Sequence, residues 1–294
     1  MSMYYCIAGL LGLVFGSFAG ATVWRLRARQ LVQDKKDGEP VDAKELKRLR
    51  PLQAVPLSRD RSRCLECSHE LAWFDLIPLV SWLHTGGKCR YCHAPIGWFE
   101  PAMELGTAAL FISFLYYYLH LPTPIWHLLA VWVGVLVCLA ILFAYDMKWF
   151  ILPDVVVWPL VALSSIIAIH RVVTSSMPVA SAWLTAGSVL VLAGLYLAIW
   201  LLSKGRWVGF GDVKLGLALG LLLDDWMLAI VALFFANFIG TMIVLPGLLT
   251  GRLSRTTHIP FGPLLIAGFL VALFFGQGIM TFLTGYSSTL LMLY

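Results

Sequence analysis

The sequence predicts an all-α polytopic membrane protein of about eight transmembrane helices, with one small polar domain between the first and second spans. Three observations carry this reading. Of 294 residues, 60% are hydrophobic and 13% charged, against roughly 45–50% and 25% in soluble domains. That balance excludes an ordinary soluble domain and a disordered chain. The apolar residues fall in runs close to the roughly 20 residues that a helix needs to cross a bilayer. Finally, 14 of the 21 basic residues sit in one stretch, 25–100.

In chain order the spans read as 4–24, 101–120, 124–144, 153–171, 179–202, 211–223, 226–249 and 260–282. The sixth is short, and reads as a span or a partly inserted helix. Pro101, Pro124, Pro153 and Pro260 suit first-turn positions, where a missing N–H costs nothing. Residues 1–24 lack the basic start of a signal peptide, and Arg25, Arg27 and Arg29 follow the apolar run instead, so this is a retained span. Basic loops stay in the cytoplasm. With 25–100 inside and the N-terminus outside, alternation puts Lys148, Lys204, Arg206, Arg252 and Arg255 inside too, with Lys214 near a helix start. Only Arg171 then lies outside, and Asp224 and Asp225 share an outer turn. Three parts result: the first span (1–24), a cytoplasmic domain (25–100) and the remaining membrane helices (101–294).

Within the polar stretch, residues 27–63 are charged and weakly patterned, and read as a solvated insert that can touch anionic lipid headgroups. Residues 41–50 predict a short helix capped by Asp42. Beyond it, Cys64-Leu65-Glu66-Cys67 and Cys89-Arg90-Tyr91-Cys92 lie 21 residues apart. Each pair offers two thiolates from one tight turn, and two such turns make the tetrahedral four-sulfur cage of a structural zinc site. A cytoplasmic location keeps the thiols reduced, and so little chain needs a staple to fold. The segment is therefore predicted to be a small zinc-ribbon-like domain. The rival reading is a thiol–disulfide relay. His69, His84 and His93 lie nearby and read as bystanders. Cys6 and Cys138 read as small buried hydrophobes.

Acidic residues in spans are costly and need a reason. Beyond residue 100 they are Glu104, Asp146, Asp154, Asp212, Asp224 and Asp225. Asp146 ends one apolar run, and Asp212, in Gly209-Phe210-Gly211-Asp212, opens another. The predicted topology puts both at the cytoplasmic face. Two carboxylates placed together share a proton, the state that hydrolyses a peptide bond. Gly209 and Gly211 would clear room for an extended substrate backbone. Capping is the simpler account of Asp212 and Asp154, which sit where N-caps belong. It serves Asp146 poorly, because a helix C-terminus disfavours negative charge. Glu104 reads as a first-turn acid. A multi-span transporter using the aspartates as an ion relay is the alternative function, but it leaves the cysteines without a role.

These motifs together resemble the type IV prepilin peptidase family over nearly the whole chain. Gly16-Ser17-Phe18 with Val23-Trp24-Arg25-Leu26 resembles the family's opening span. Arg63 to Cys67, Trp73 to Pro78, Ser81-Trp82 and Gly87 to Cys92 resemble its cytoplasmic domain. Asp146 to Asp154 resembles the segment of the first catalytic aspartate, Gly209 to Lys214 the GxGD segment of the second, and Ile259 to Pro263 the motif at the last span. The charged insert and Glu100 before Pro101 depart from the family pattern. The resemblance implies a GxGD aspartic intramembrane peptidase in the cytoplasmic (inner) membrane, with Asp146 and Asp212 as the catalytic pair. It implies cleavage of a basic leader from type IV prepilins or pseudopilins, then N-methylation of the new N-terminus from S-adenosylmethionine. Membrane lipid is the other expected partner; no nucleic acid is expected.

Overall fold

The computed structural model describes residues 2–53, 61–121, 125–251 and 259–284. Among these the chain is helical, with two isolated β-bridges and no strand. Seven helices are long and apolar enough to cross a membrane. The chain forms two compact units, Met1–Pro124 and Ile125–Tyr294.

In the first unit, α1 (Ser2–Lys36) packs along α4 (Phe99–Leu119), so that the second span groups with the first. Small residues set the approach of the two helices. A Cβ on Gly12 would come within 2.5 Å of the Ala108 Cα, and one on Gly16 within 2.6 Å of the Glu104 Cα. The helix does not stop where its apolar run stops. It continues for three turns as a stalk, and Ala28 and Leu31 on one stripe bury against Leu49 and Leu52. Leu49 ends α2 (Ala43–Leu49), whose N-cap Asp42 accepts from the Lys44 N–H at 2.8 Å, as the sequence predicts. Arg27 reaches across to Glu45 at 2.7 Å. The insert is therefore not merely solvated: it carries a small core of its own. A second short helix, α3 (Val80–His84), precedes α4.

The second unit contains α5 (Trp126–Trp149), α6 (Asp154–Thr174), α7 (Pro178–Val189), α8 (Leu195–Ser203), α9 (Phe210–Leu223), α10 (Trp226–Leu249) and α11 (Phe261–Thr284). A π-helical turn, Leu190–Gly194, joins α7 to α8 and makes Pro178–Ser203 one span. The short predicted sixth span is α9, with 14 residues. At about 1.5 Å per residue it falls short of a hydrocarbon layer of about 30 Å, so seven helices rather than eight are long enough to cross alone; α9 nevertheless runs beside α6, with Lys214 paired to Asp154 at one end and Asp224 to Arg171 at the other. It is an inner helix, packed on α6, α7 and the π turn. Gly216 and Gly220 allow this, since a Cβ there would come within 2.9 Å of the Leu192 carbonyl oxygen and 2.8 Å of the Val189 Cα.

Of the prolines, Pro101 sits in a first turn, while Pro153 is the N-cap of α6 and Pro260 precedes α11. Pro124, Arg252 and Arg255 lie outside the described residues. Arg171, expected alone on its side, pairs with Asp224 at 3.2 Å and donates to the Leu222 carbonyl at 2.6 Å. Asp225 caps α10 through the Met227 N–H at 2.8 Å.

Candidate functional site

The second unit brings three distant segments together around Leu152. Helix α5 ends one turn after Asp146. Its C-cap, Phe150, takes a left-handed conformation (φ 57°) and donates its N–H to the Asp146 carbonyl. The chain then turns through Leu152 and Pro153 into α6. Leu152 is buried between Gly211 and Gly262: a Cβ on Gly211 would lie 3.0 Å from its Cβ, and one on Gly262 3.3 Å from its Cδ2. Asp146, 4% exposed, accepts the Gly262 N–H on Oδ2 at 3.0 Å. A Cβ on Gly262 would stand 2.7 Å from that same oxygen, so a side chain there and this hydrogen bond exclude one another. Asp212 occupies the first turn of α9, its Oδ2 3.6 Å from the Cβ position of Gly209. The two aspartates interact electrostatically, and the buried Tyr196, packed on Phe261, lies within reach of Asp212's charge.

The expected roles shift in detail. The N-caps are Gly209 and Pro153, so neither Asp212 nor Asp154 caps its helix. Asp154 pairs with Lys214 at 2.6 Å, and the Lys214 ammonium also lies over the Phe210 and Trp158 rings. At Gly211 the space is filled by Leu152 rather than open to a substrate. Gly262 and Leu152 carry no titratable group, and only the 259–263 and 146–154 segments pointed to them.

In the first unit the four cysteines converge. Their sulfurs all lie within 4.8 Å of one another, and Cys64 Sγ stands 3.8 Å from Cys92 Sγ. With Zn–S bonds of about 2.3 Å, a tetrahedral cage has edges of about 3.8 Å, so the donor set fits zinc. No disulfide joins them. The two pairs are copies of one turn. After each second cysteine the chain goes left-handed, at Ser68 (φ 61°) and His93 (φ 56°). The N–H of that residue returns to the first cysteine's carbonyl at 3.0 and 2.9 Å. Burial pushes the Cys64 thiol up. At Cys89 burial is outweighed by the backbone N–H groups of Cys92 and Tyr91, with help from the Cys64 and Cys92 thiols, and the thiol falls below its usual value. His69 stacks on Tyr91 with centroids 3.7 Å apart, outside the four-sulfur set.

Beside the cage lies a cavity of about 200 Å³ whose walls include Trp24, Trp82, Cys89, Ser17, Glu100 and Glu104. Glu104 is not in the first turn of α4. It is buried, 6% exposed, and its Oε2 accepts the Leu79 N–H at 2.8 Å.

A family described as the bacterial peptidase A24 N-terminal domain matches residues 10–118, and the type IV leader peptidase family matches residues 133–245. Among curated proteins, a prepilin leader peptidase/N-methyltransferase of Pseudomonas aeruginosa is 33% identical over 286 residues, covering 93% of this chain and 91% of its own. One of Burkholderia pseudomallei is 32% identical over 295 residues (96% and 89%), and one of Aeromonas hydrophila 29% over 292 (94% and 92%). No solved structure matches. With both domain matches in the expected order and such likeness along nearly its full length, the chain belongs to the type IV prepilin peptidase family.

Proposed function

We propose that this protein is a multi-pass inner-membrane aspartic endopeptidase. It cuts the basic leader from type IV prepilin or pseudopilin precursors and then N-methylates the exposed N-terminus. The observation that carries the reading is the buried Asp146, aligned by the Gly262 N–H and linked through Leu152 to the turn that bears Asp212. In this reading one carboxylate takes a proton from water as the water oxygen adds to the scissile carbonyl carbon. The other, protonated, gives its proton to the carbonyl oxygen. Collapse breaks the C–N bond, and the leaving amine takes up a proton from the pair. The peptidase names of the relatives support this and give the transporter alternative no support.

The N-terminus is assigned to the outside and residues 25–100 to the cytoplasm, on the weight of basic residues there. A prepilin's basic leader and scissile bond then meet the enzyme at the cytoplasmic face. The Cys64, Cys67, Cys89 and Cys92 sulfurs would hold a structural zinc. The cavity beside them, with aromatic, acidic and basic side chains in its walls, would hold S-adenosylmethionine, which when bound supplies an electrophilic methyl group. Trp24 and Trp82 would pack on an adenine ring, and Glu100 would offer charge to its cationic groups. Co-expression with a candidate prepilin, read by the intact mass of its N-terminus, tests the reading. The expected product lacks the leader and carries one added methyl group.

A further inference from the structure

Among the described residues, Glu104 is a carboxylate without a counter-charge. It lies in the wall of the cavity, is 6% exposed, and is fixed by the Leu79 N–H at 2.8 Å and by a hydrogen bond from the Ser17 hydroxyl. Among the described residues no lysine, arginine or histidine pairs with it. The other acids of the wall differ. Asp75 is bound by Arg90 at 2.8 Å and Glu66 by Arg48 at 3.1 Å. Glu100 is neighbour to Glu104 on α4, adds negative charge, and accepts the Trp24 N–H at 3.1 Å. Burying a carboxylate without a cation is costly. Arg25, Arg48, Arg63, Lys88 and Arg90 also line the cavity, so it is this one buried carboxylate, not the wall as a whole, that is complementary to a cationic group.

We propose that Glu104 binds the new N-terminal ammonium of the cleaved substrate and is the base for its methylation. This rests on the methyl-transfer reading given above. An ammonium has no lone pair, so it must lose a proton before its nitrogen can attack. Glu104 accepts that proton. The nitrogen lone pair then forms the N–CH3 bond as the S–CH3 bond breaks, and the sulfonium leaves as a neutral thioether. The product is a secondary ammonium, and the proton held by Glu104 passes to water. The Leu79 N–H occupies Oε2 from one side and fixes the carboxyl plane without supplying a proton to the reaction.

The test uses the full-length enzyme and four readouts. These are S-adenosylhomocysteine binding by calorimetry, zinc content, cleavage of a prepilin, and the rate of methyl addition to precut substrate from pH 6 to about 10. Glu104→Gln keeps an acceptor for the Leu79 N–H and removes the base. Zinc, cofactor-analogue affinity and cleavage should match wild type. Methyl addition should fall about 100-fold near neutrality. The deficit should shrink as pH rises past the amine's own value of about 8, where the amine no longer needs a base. Glu104→Asp should retain an intermediate rate. Wild-type methylation by Glu104→Gln would overturn the proposal. So would a deficit that is constant across pH, or joint loss of zinc, analogue binding and methylation, which marks a structural clamp on Leu79. A wild-type enzyme that binds no analogue and adds no methyl group would overturn the methyl-transfer reading itself, and the role of Glu104 with it.

Discussion

The cysteine cage and the aspartate pair are two ways of building a site from far fewer residues than surround it. The cage is local. Its four ligands span Cys64 to Cys92, two copies of one turn present them, and backbone hydrogen bonds within six residues hold each turn. The aspartate pair is the reverse. Asp146 and Asp212 come from different helices, and the Asp146 carboxylate is held by the Gly262 N–H, 116 residues away. A local site can be lost without disturbing the rest of the chain. A site assembled by packing fails when any one of its distant supports is altered. It also follows that the metal should matter little to peptide hydrolysis, since the contacts that align the aspartates all lie in the second unit.

The sharpest way to break the contrast is to damage the aspartate site without touching an aspartate. Gly262→Val sets a side chain where the Asp146 Oδ2 now lies, 2.7 Å from the Cβ position. Displacing a catalytic group by about 1 Å costs on the order of 100-fold, so prepilin cleavage should fall at least that far while zinc content stays normal. Cleavage near the wild-type rate would show that the Gly262 contact is not what aligns Asp146.

A smaller effect on cleavage, and a larger one on metal, is expected from the other side. Cys64→Ser with Cys67→Ser should remove the bound zinc and loosen the turns, as metal affinity is folding energy in so small a domain. Methyl addition should drop at least about tenfold. Cleavage should stay within about threefold, because sites with no shared partners couple by only about 0.3–0.5 kcal/mol. Parallel loss of both products, scored by mass in one time course, would mean that the cage supports the whole enzyme.

The smallest effect is predicted for Asp154, which stands close to Asp146 in sequence but outside the buried arrangement. Its side chain is 58% exposed and its partner Lys214 keeps two aromatic rings. An exposed ion pair is worth about 0–1 kcal/mol. Asp154→Asn should therefore slow cleavage by less than about fivefold, a rate measured against the same prepilin. A loss equal to that of an Asp146 variant would move Asp154 into the catalytic unit.

What the sequence shows follows the same division. The cage was legible, because cysteine spacing is itself the geometry. So were the Asp42 cap and the apolar runs of the seven long helices. The left-handed turns at Ser68 and His93 were not, since neither residue type announces φ above zero. The stalk of α1 was hidden by its charges: Arg27 reads as solvated until Glu45 is seen opposite it. Helix α9 had the length of a doubtful span, and only the close approach of Gly216 and Gly220 to neighbouring backbone shows it to be an inner helix. The aspartates were legible as acids in apolar runs. Their support by Gly262 and Leu152 was not: both lie in family-like segments, but a backbone N–H and a leucine do not say what they hold until the fold is seen. Glu104 was seen, but as a first-turn acid; its burial depends on Gly16 letting α1 close over α4.

The central claim is that Asp146 and Asp212 act as one proton-sharing unit. It is tested most directly by the N-terminal mass of a prepilin incubated with purified, zinc-loaded Asp212→Asn enzyme, beside Asp146→Asn and wild type. The account predicts leader removal by wild type alone, with both variants inserted and folded yet leaving the precursor uncut, because each remaining carboxyl lacks the partner that completes the proton transfer. A folded Asp212→Asn enzyme that removes the leader at the wild-type rate would contradict it.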